Sequence, residues 1–155
     1  MSETEPKRNW RPQIVTEGEW AGWWGRDRSD SFEGLTGPFY WRRDDDGKLR
    51  AAFRAEPKHM NGGGFMHGGC LLTFADFLLF TFAREDLGPG YGVTATLNAE
   101  FLDSVHVGQL VEGVGEVVKA GGSLIFVRGT VLAAGAPVLT FSGVIKKRGG
   151  KPRDK

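Results

Sequence analysis

Residues 68–84 read GGCLLTFADFLLFTFAR, and the fold turns on this stretch. Past its two opening glycines it carries no helix breaker and is apolar nearly all round. Seventeen residues are too many for one buried strand and suit a helix of about five turns. A helix that is hydrophobic on every side is expected to be covered on every side. Its interior holds a single ionisable residue, Asp76. An unpaired carboxylate there costs several kcal/mol, so the position asks for a reason. Thr73, three residues earlier, shares its helical face. Taken alone, Asp76 is either a buried acid satisfied by neighbouring backbone and hydroxyl groups or a catalytic one.

Outward from the helix the pattern turns to strands. Upstream, PFYWRR, DDDG and KLRAAFRA (residues 38–55) form two strands around an Asp-Gly turn. Downstream, Val93, Ala95, Leu97, Ala99 and Phe101 alternate with Thr94, Thr96, Asn98, Glu100 and Leu102, the period of a half-buried strand. Three further strands are predicted near 108–119, 123–133 and 137–147, separated by KAGGS and AAGAP, which have hairpin chemistry. Short connections favour an antiparallel meander for the last four strands. The expected fold is α+β, about six antiparallel strands wrapped around one long helix.

The flanks are different. Residues 1–9 and the final GGKPRDK are polar and expected to fray. The segment EGEWAGWWGRDRSDSFEG holds Trp20, Trp23 and Trp24 at i, i+3, i+4, which predicts a short amphipathic helix capping the core. Residues 1–34 therefore read as tail and capping segment, 35–148 as the folded domain and 149–155 as a tail.

The chain of 155 residues is long enough for one domain. Twenty Lys and Arg against 19 Asp and Glu give a net charge of +1, without the positive field of a nucleic-acid binder. One cysteine excludes an internal disulfide, and one cysteine with three histidines excludes a zinc-ribbon site. No secretory h-region opens the chain and no 18-residue apolar run crosses a membrane, so a soluble cytoplasmic protein is expected. The 24 glycines point to many turns and to close backbone approaches.

Immediately before the helix stands Asn61-Gly-Gly-Gly-Phe-Met-His67-Gly68-Gly69. Glycine-rich backbone entering a helix N-terminus leaves N–H groups pointing outward at the positive end of the dipole. Such a site favours a phosphate or the oxyanion of acyl transfer. No Gly-Lys-Ser/Thr follows, so this is not a P-loop. Singly, the glycines could form a flexible loop and His67 could merely contact backbone at the helix end.

Together, Asn61, His67-Gly68-Gly69 and Asp76, in the run N-x5-H-G-G-x6-D, resemble the hotdog-fold acyl-CoA thioesterases, nearest the phenylacetate-degradation branch. The resemblance runs from about Gly37 to Lys146 and includes GVTATLNAEFLDSVHVGQLVEG (residues 92–113). It implies an enzyme that hydrolyses an acyl-CoA to free acid and CoA. Asp76 would act as nucleophile or general base, the Gly68 N–H would polarise the thioester carbonyl, and Asn61 would orient the attacking group. His67 would assist near the carbonyl or departing sulfur. Thr94 falls where members carry a Ser or Thr on the nucleophile's side, and Gly69 would help bind substrate. No metal or separate cofactor is implied, coenzyme A being part of the substrate. The family builds its site across a homodimer interface, with a tetramer as a dimer of dimers.

The basic run Lys146, Lys147 and Arg148 is either a CoA-phosphate contact or a solvated strand end. Cys70 reads as a small core residue, and His59 and His106 as structural or exposed. Phe74, Phe77, Phe80 and Phe82 are either core or an acyl pocket lining. The other functions consistent with the fold are an enoyl-thioester hydratase or dehydratase and a non-catalytic acyl-CoA binder. The H-x3-G-x-P-x2-P-G run of carrier-protein dehydratases is absent.

Overall fold

A computed structural model describes residues 12–26 and 31–149. The expected frayed residues 1–9 and nearly all of the final seven lie outside these. The long helix, α2, spans Gly68–Phe82, preceded by the short α1 (Phe32–Thr36) and followed by α3 (Arg84–Leu87). Eight strands form one antiparallel sheet around it, two more than expected: β1 (Gln13–Ile14), β2 (Trp24–Gly25), β3 (Tyr40–Arg43), β4 (Leu49–Arg54), β5 (Tyr91–Phe101), β6 (Leu110–Ala120), β7 (Leu124–Ala133) and β8 (Ala136–Arg148). Their order is β1-β2-β3-β4-β6-β7-β8-β5.

The two extra strands form a hairpin, β1 lying just before the tryptophan segment and β2 within it, so Trp20, Trp23 and Trp24 sit on a turn and strand rather than a helix. Trp23 is buried while its neighbour Trp24 is 40 % exposed, the alternation of a strand. Trp20, in the turn, stacks on Tyr40 at 4.7 Å, and the Arg42 guanidinium lies 4.5 Å over Trp23. The helical spacing of the three rings is thus produced by a turn followed by a strand.

The meander holds for β6, β7 and β8, but β5 pairs with β8 and leaves β4 to pair with β6. The connection after β5 is long enough to cross the sheet. It is pinned by Leu102 N–H to Val138 O (2.8 Å) and Gly108 N–H to Ala55 O (2.8 Å), with Val105 buried beneath. β5 therefore closes one border of the sheet with its outer edge unpaired among the described residues.

Close packing of the helix explains the glycines at 113, 115 and 143. A Cβ on Gly113 would meet Leu78 Cδ1 at 2.3 Å, and one on Gly143 would meet Leu79 Cδ1 at 2.6 Å. Phe74, Leu78 and Leu79 are fully buried. Phe74 packs 4.8 Å from Phe53 and 5.1 Å from Phe39, so it is core, as are Phe77 and Phe82. The cover is incomplete, however. Gly69 is exposed, and Leu72, Thr73, Asp76 and Phe80 are half-buried; together they form one stripe that the sheet leaves open.

Candidate functional site

The loop before α2 is a closed turn. Asn61 Oδ1 accepts from Gly63 N–H at 2.8 Å and more weakly from Phe65 N–H at 3.4 Å, and Asn61 N–H reaches Phe65 O at 2.8 Å. An asparagine that caps its own loop in this way spends its carbonyl there and keeps only its amide N–H2 for a ligand. A Met60–Met66 bridge closes the base.

His67 is the N-cap of α2. Its Nδ1 accepts the Gly69 N–H at 2.8 Å, so the ring proton sits on Nε2 and the side chain presents a donor. Its backbone N–H is held by His59 O at 2.9 Å. The cap uses the Gly69 N–H and leaves that of Gly68, which has no acceptor among the described residues. Gly68 lies against the Phe101 ring, where a Cβ would come within 3.2 Å. Of the two glycines, Gly68 is therefore the one with a free donor at the positive end of the helix.

His59 is a positioning residue whose importance the sequence did not reveal. It is 4 % exposed, its Nδ1 accepts from Glu56 N–H at 2.9 Å, and its Nε2 donates to Thr36 O at 2.6 Å. Burial pushes its pKa below the ordinary imidazole value. Both ring nitrogens are thus occupied, and it ties α1 to the loop that leads into His67.

Asp76 departs from expectation. It is half-buried on the open stripe, not enclosed, and its partner is not Thr73, whose hydroxyl bonds back to Gly69 O at 2.8 Å. Instead Thr94 Oγ1 donates to Asp76 Oδ1 at 2.5 Å. Simple alternation would put Thr94 on the face opposite Leu97 and Ala99. A bulge between Thr94 and Thr96 reverses the parity, so Thr94 pairs with buried Ile145 and Ala99 with buried Phe141 on one face.

Gly68 and Asp76 cannot serve one carbonyl from a single helix. Eight residues at 1.5 Å rise separate them by about 12 Å along the axis, whereas a reacting atom must lie roughly 3 Å from both groups. The structure brings Asp76 and Thr94 together at one end of β5, and Asn61, His67, Gly68 and Phe101 at the other.

Lys146, Lys147 and Arg148 sit on β8 at the Asp76 end: Lys146 pairs with Val93, beside the Thr94–Ile145 pair, and Arg148 with Tyr91. They are about 26–33 Å of strand from Phe101, which lies against Gly68 of the same chain. Cys70 is buried, and burial pushes its thiol up to about 11, which removes it as a nucleophile at neutral pH. His106 is exposed.

No helix among the described residues is long and apolar enough to cross a membrane. Residues 63–139 match the model of the family described as Thioesterase superfamily. The Pseudomonas aeruginosa protein named "Putative esterase PA0474" is 36 % identical over 120 residues, covering 76 % of this chain and 88 % of that protein. Among solved structures, the BH2602 protein of Bacillus halodurans, crystallised with CoA, superposes with a TM-score of 0.71 at 22 % identity, over 81 % of this chain and 83 % of that one. The E. coli PaaI protein of the phenylacetic acid degradation operon gives 0.66 at 19 %, over 79 % and 88 %. With an antiparallel sheet curled around one long helix that His67 caps and two glycines open, and with these matches, the chain has the hotdog fold and belongs to the thioesterase superfamily.

Proposed function

We propose that the protein is an acyl-CoA thioesterase whose sites are each assembled from two copies of the chain. The observation that carries this is the 12 Å separation, by helical rise, of a free Gly68 N–H from an oriented Asp76 on one open helix face. Antiparallel pairing of two β5 edges about Asn98, with the Thr94–Thr96 bulge taking up one residue, would set Phe101 of one chain opposite Thr94 of the other. Because Phe101 touches Gly68 and Thr94 holds Asp76, the same two-fold would bring the donor of one chain to the carboxylate of the other. A long edge strand bearing one charge, Glu100, is also one that needs a partner.

In such a site the thioester carbonyl oxygen accepts from the Gly68 N–H. Asp76, aligned by Thr94, either attacks the carbonyl carbon or takes a proton from a water that does. The tetrahedral oxyanion is stabilised at the helix terminus, where each donor is worth roughly 3–4 kcal/mol. It then collapses with cleavage of the C–S bond, and CoA leaves as thiolate with His67 Nε2–H and the Asn61 amide as nearby donors. The sum is thioester plus water to carboxylate plus CoA thiol, with the acyl-enzyme, where formed, hydrolysed by water. CoA enters as part of the substrate and no further cofactor takes part. BH2602, of the same fold, was crystallised with CoA, which supports this choice.

A hydratase would pair a histidine with an acid for proton transfer. His67 Nδ1 is instead occupied by the Gly69 N–H, which disfavours that reading. Release of free thiol from a panel of acyl-CoAs tests the proposal: turnover supports it, whereas hydration of enoyl-CoA without thiol release, or binding without turnover, points to the alternatives.

A further inference from the structure

α1 presents two large apolar side chains to solvent, Phe32 at 73 % and Leu35 at 65 % exposure. A free five-residue helix has no intrinsic stability, yet this one is held in place. Ser31 caps its start, accepting from Gly34 N–H at 3.0 Å. At its end His59 Nε2 donates to Thr36 O, and Lys58 Nζ donates to Gly37 O at 2.5 Å. The residues that anchor α1 thus lead directly into the Asn61 loop. Between α1 and the first turns of α2 lies a groove of about 440 Å³, lined on one side by Phe32, Leu35 and Thr36 and on the other by Gly69, Cys70 and Thr73, with His67 beside them.

Three features narrow the occupant. The groove adjoins the candidate site at the N-terminus of α2, since His67 and Gly69 belong to both. Lys58 and His59 also line it, but the Lys58 ammonium is bonded to Gly37 O and both His59 ring nitrogens are occupied, so the surface left for a ligand is mainly apolar and a phosphate or nucleotide is a poor match. Its volume falls in the roughly 300–1,000 Å³ range of pockets that enclose small molecules, and an acetyl group would leave most of it empty.

We infer that Phe32 and Leu35 form the wall of the acyl subsite and that the substrate carries a medium-length or aromatic apolar acyl group. This rests on the thioesterase reading above and adds to it a substrate class and two specificity-determining residues.

The test uses non-hydrolysable thioethers, S-octyl-CoA and S-ethyl-CoA, with affinities measured by calorimetry. Wild-type protein should prefer the octyl ligand, and Phe32→Ser with Leu35→Ser should shrink that preference about tenfold. Leu35→Trp, which fills the groove instead of emptying it, should also lower the octyl preference. Sedimentation of each variant identifies the other occupant, a second copy of the chain. An unchanged octyl-to-ethyl ratio, equal weakening of both ligands, or a changed oligomeric state would each overturn the inference. Failure of the wild type to bind either thioether would instead overturn the thioesterase reading beneath it, and the subsite with it.

Discussion

Thr94 Oγ1 lies 2.5 Å from Asp76 Oδ1, joining an edge strand to the open face of the central helix. The bond fixes one carboxylate oxygen and, in the proposed site, leaves the other for the thioester or its attacking water. A hydrogen bond to a charged group is worth about 1.5–3 kcal/mol, so Thr94→Val should lower kcat about tenfold or more with little change in KM. Thr94→Ser should restore it. Asp76→Asn, which keeps size and fold, should lower kcat by about a hundredfold or more. Steady-state thiol release with melting curves on each variant checks both; wild-type-like turnover in folded Asp76→Asn would remove the carboxylate from the mechanism.

The basic strand end sits on the Asp76 side of β5, where a CoA held across two chains would bring its phosphates. Replacing Lys146, Lys147 and Arg148 by glutamine should raise KM several-fold for CoA thioesters and spare N-acetylcysteamine thioesters, which lack the nucleotide. Equal effects on both substrate types would leave the run as a solvated strand end.

Cys70 follows the glycine pair but has its thiol pushed up to about 11 by burial. Iodoacetamide at pH 8 should therefore leave turnover largely intact, and Cys70→Ala should cost stability of about 1 kcal/mol rather than activity. Rapid inactivation by alkylation at that cysteine, protected by substrate, would contradict this.

His59 titrates below the ordinary imidazole value because it is buried. The folded state thus holds the proton less tightly than the unfolded chain. Its contribution to stability is complete above the unfolded pKa of about 6.5 and is lost as pH falls through the lower folded value. The melting temperature should drop between pH 7 and pH 5, and His59→Gln should show a shallower drop from a lower starting point. Parallel pH profiles for the two proteins would place the acid sensitivity elsewhere.

Much of this was legible in the amino-acid order. The unbroken apolar run of residues 68–84 marks α2 to within two residues, and the turn residues Asp44–Gly47 and Ala134–Gly135 mark two hairpins. Other features were hidden for definite reasons. Periodicity cannot register the β5 bulge, which adds a residue without changing composition, so alternation alone sets Thr94 on the face opposite Leu97 and Ala99, and only the family resemblance put it on the nucleophile's side. The tryptophan spacing fits a helix and a turned hairpin equally, and the partner that decides between them, Tyr40, is distant in sequence. The open stripe bearing Asp76 is set by where the sheet stops, which no local pattern records. The helix start at His67-Gly68 was legible because a cap is local chemistry, whereas the turn that Asn61 closes was hidden among glycines that fit a flexible loop equally.

The central claim, that Gly68 and Asp76 act on one carbonyl from different chains, is tested most directly by complementation. Asp76→Asn and Asn61→Ala homodimers should each be nearly inactive. In a mixed dimer one site receives both lesions and the other none. An equimolar, fully exchanged mixture should then recover about a quarter of the wild-type rate of thiol release, half of its dimers being mixed. If subunit exchange is verified and the mixture stays as inactive as its parents, or if wild-type protein sediments as an active monomer, the two-chain site is wrong.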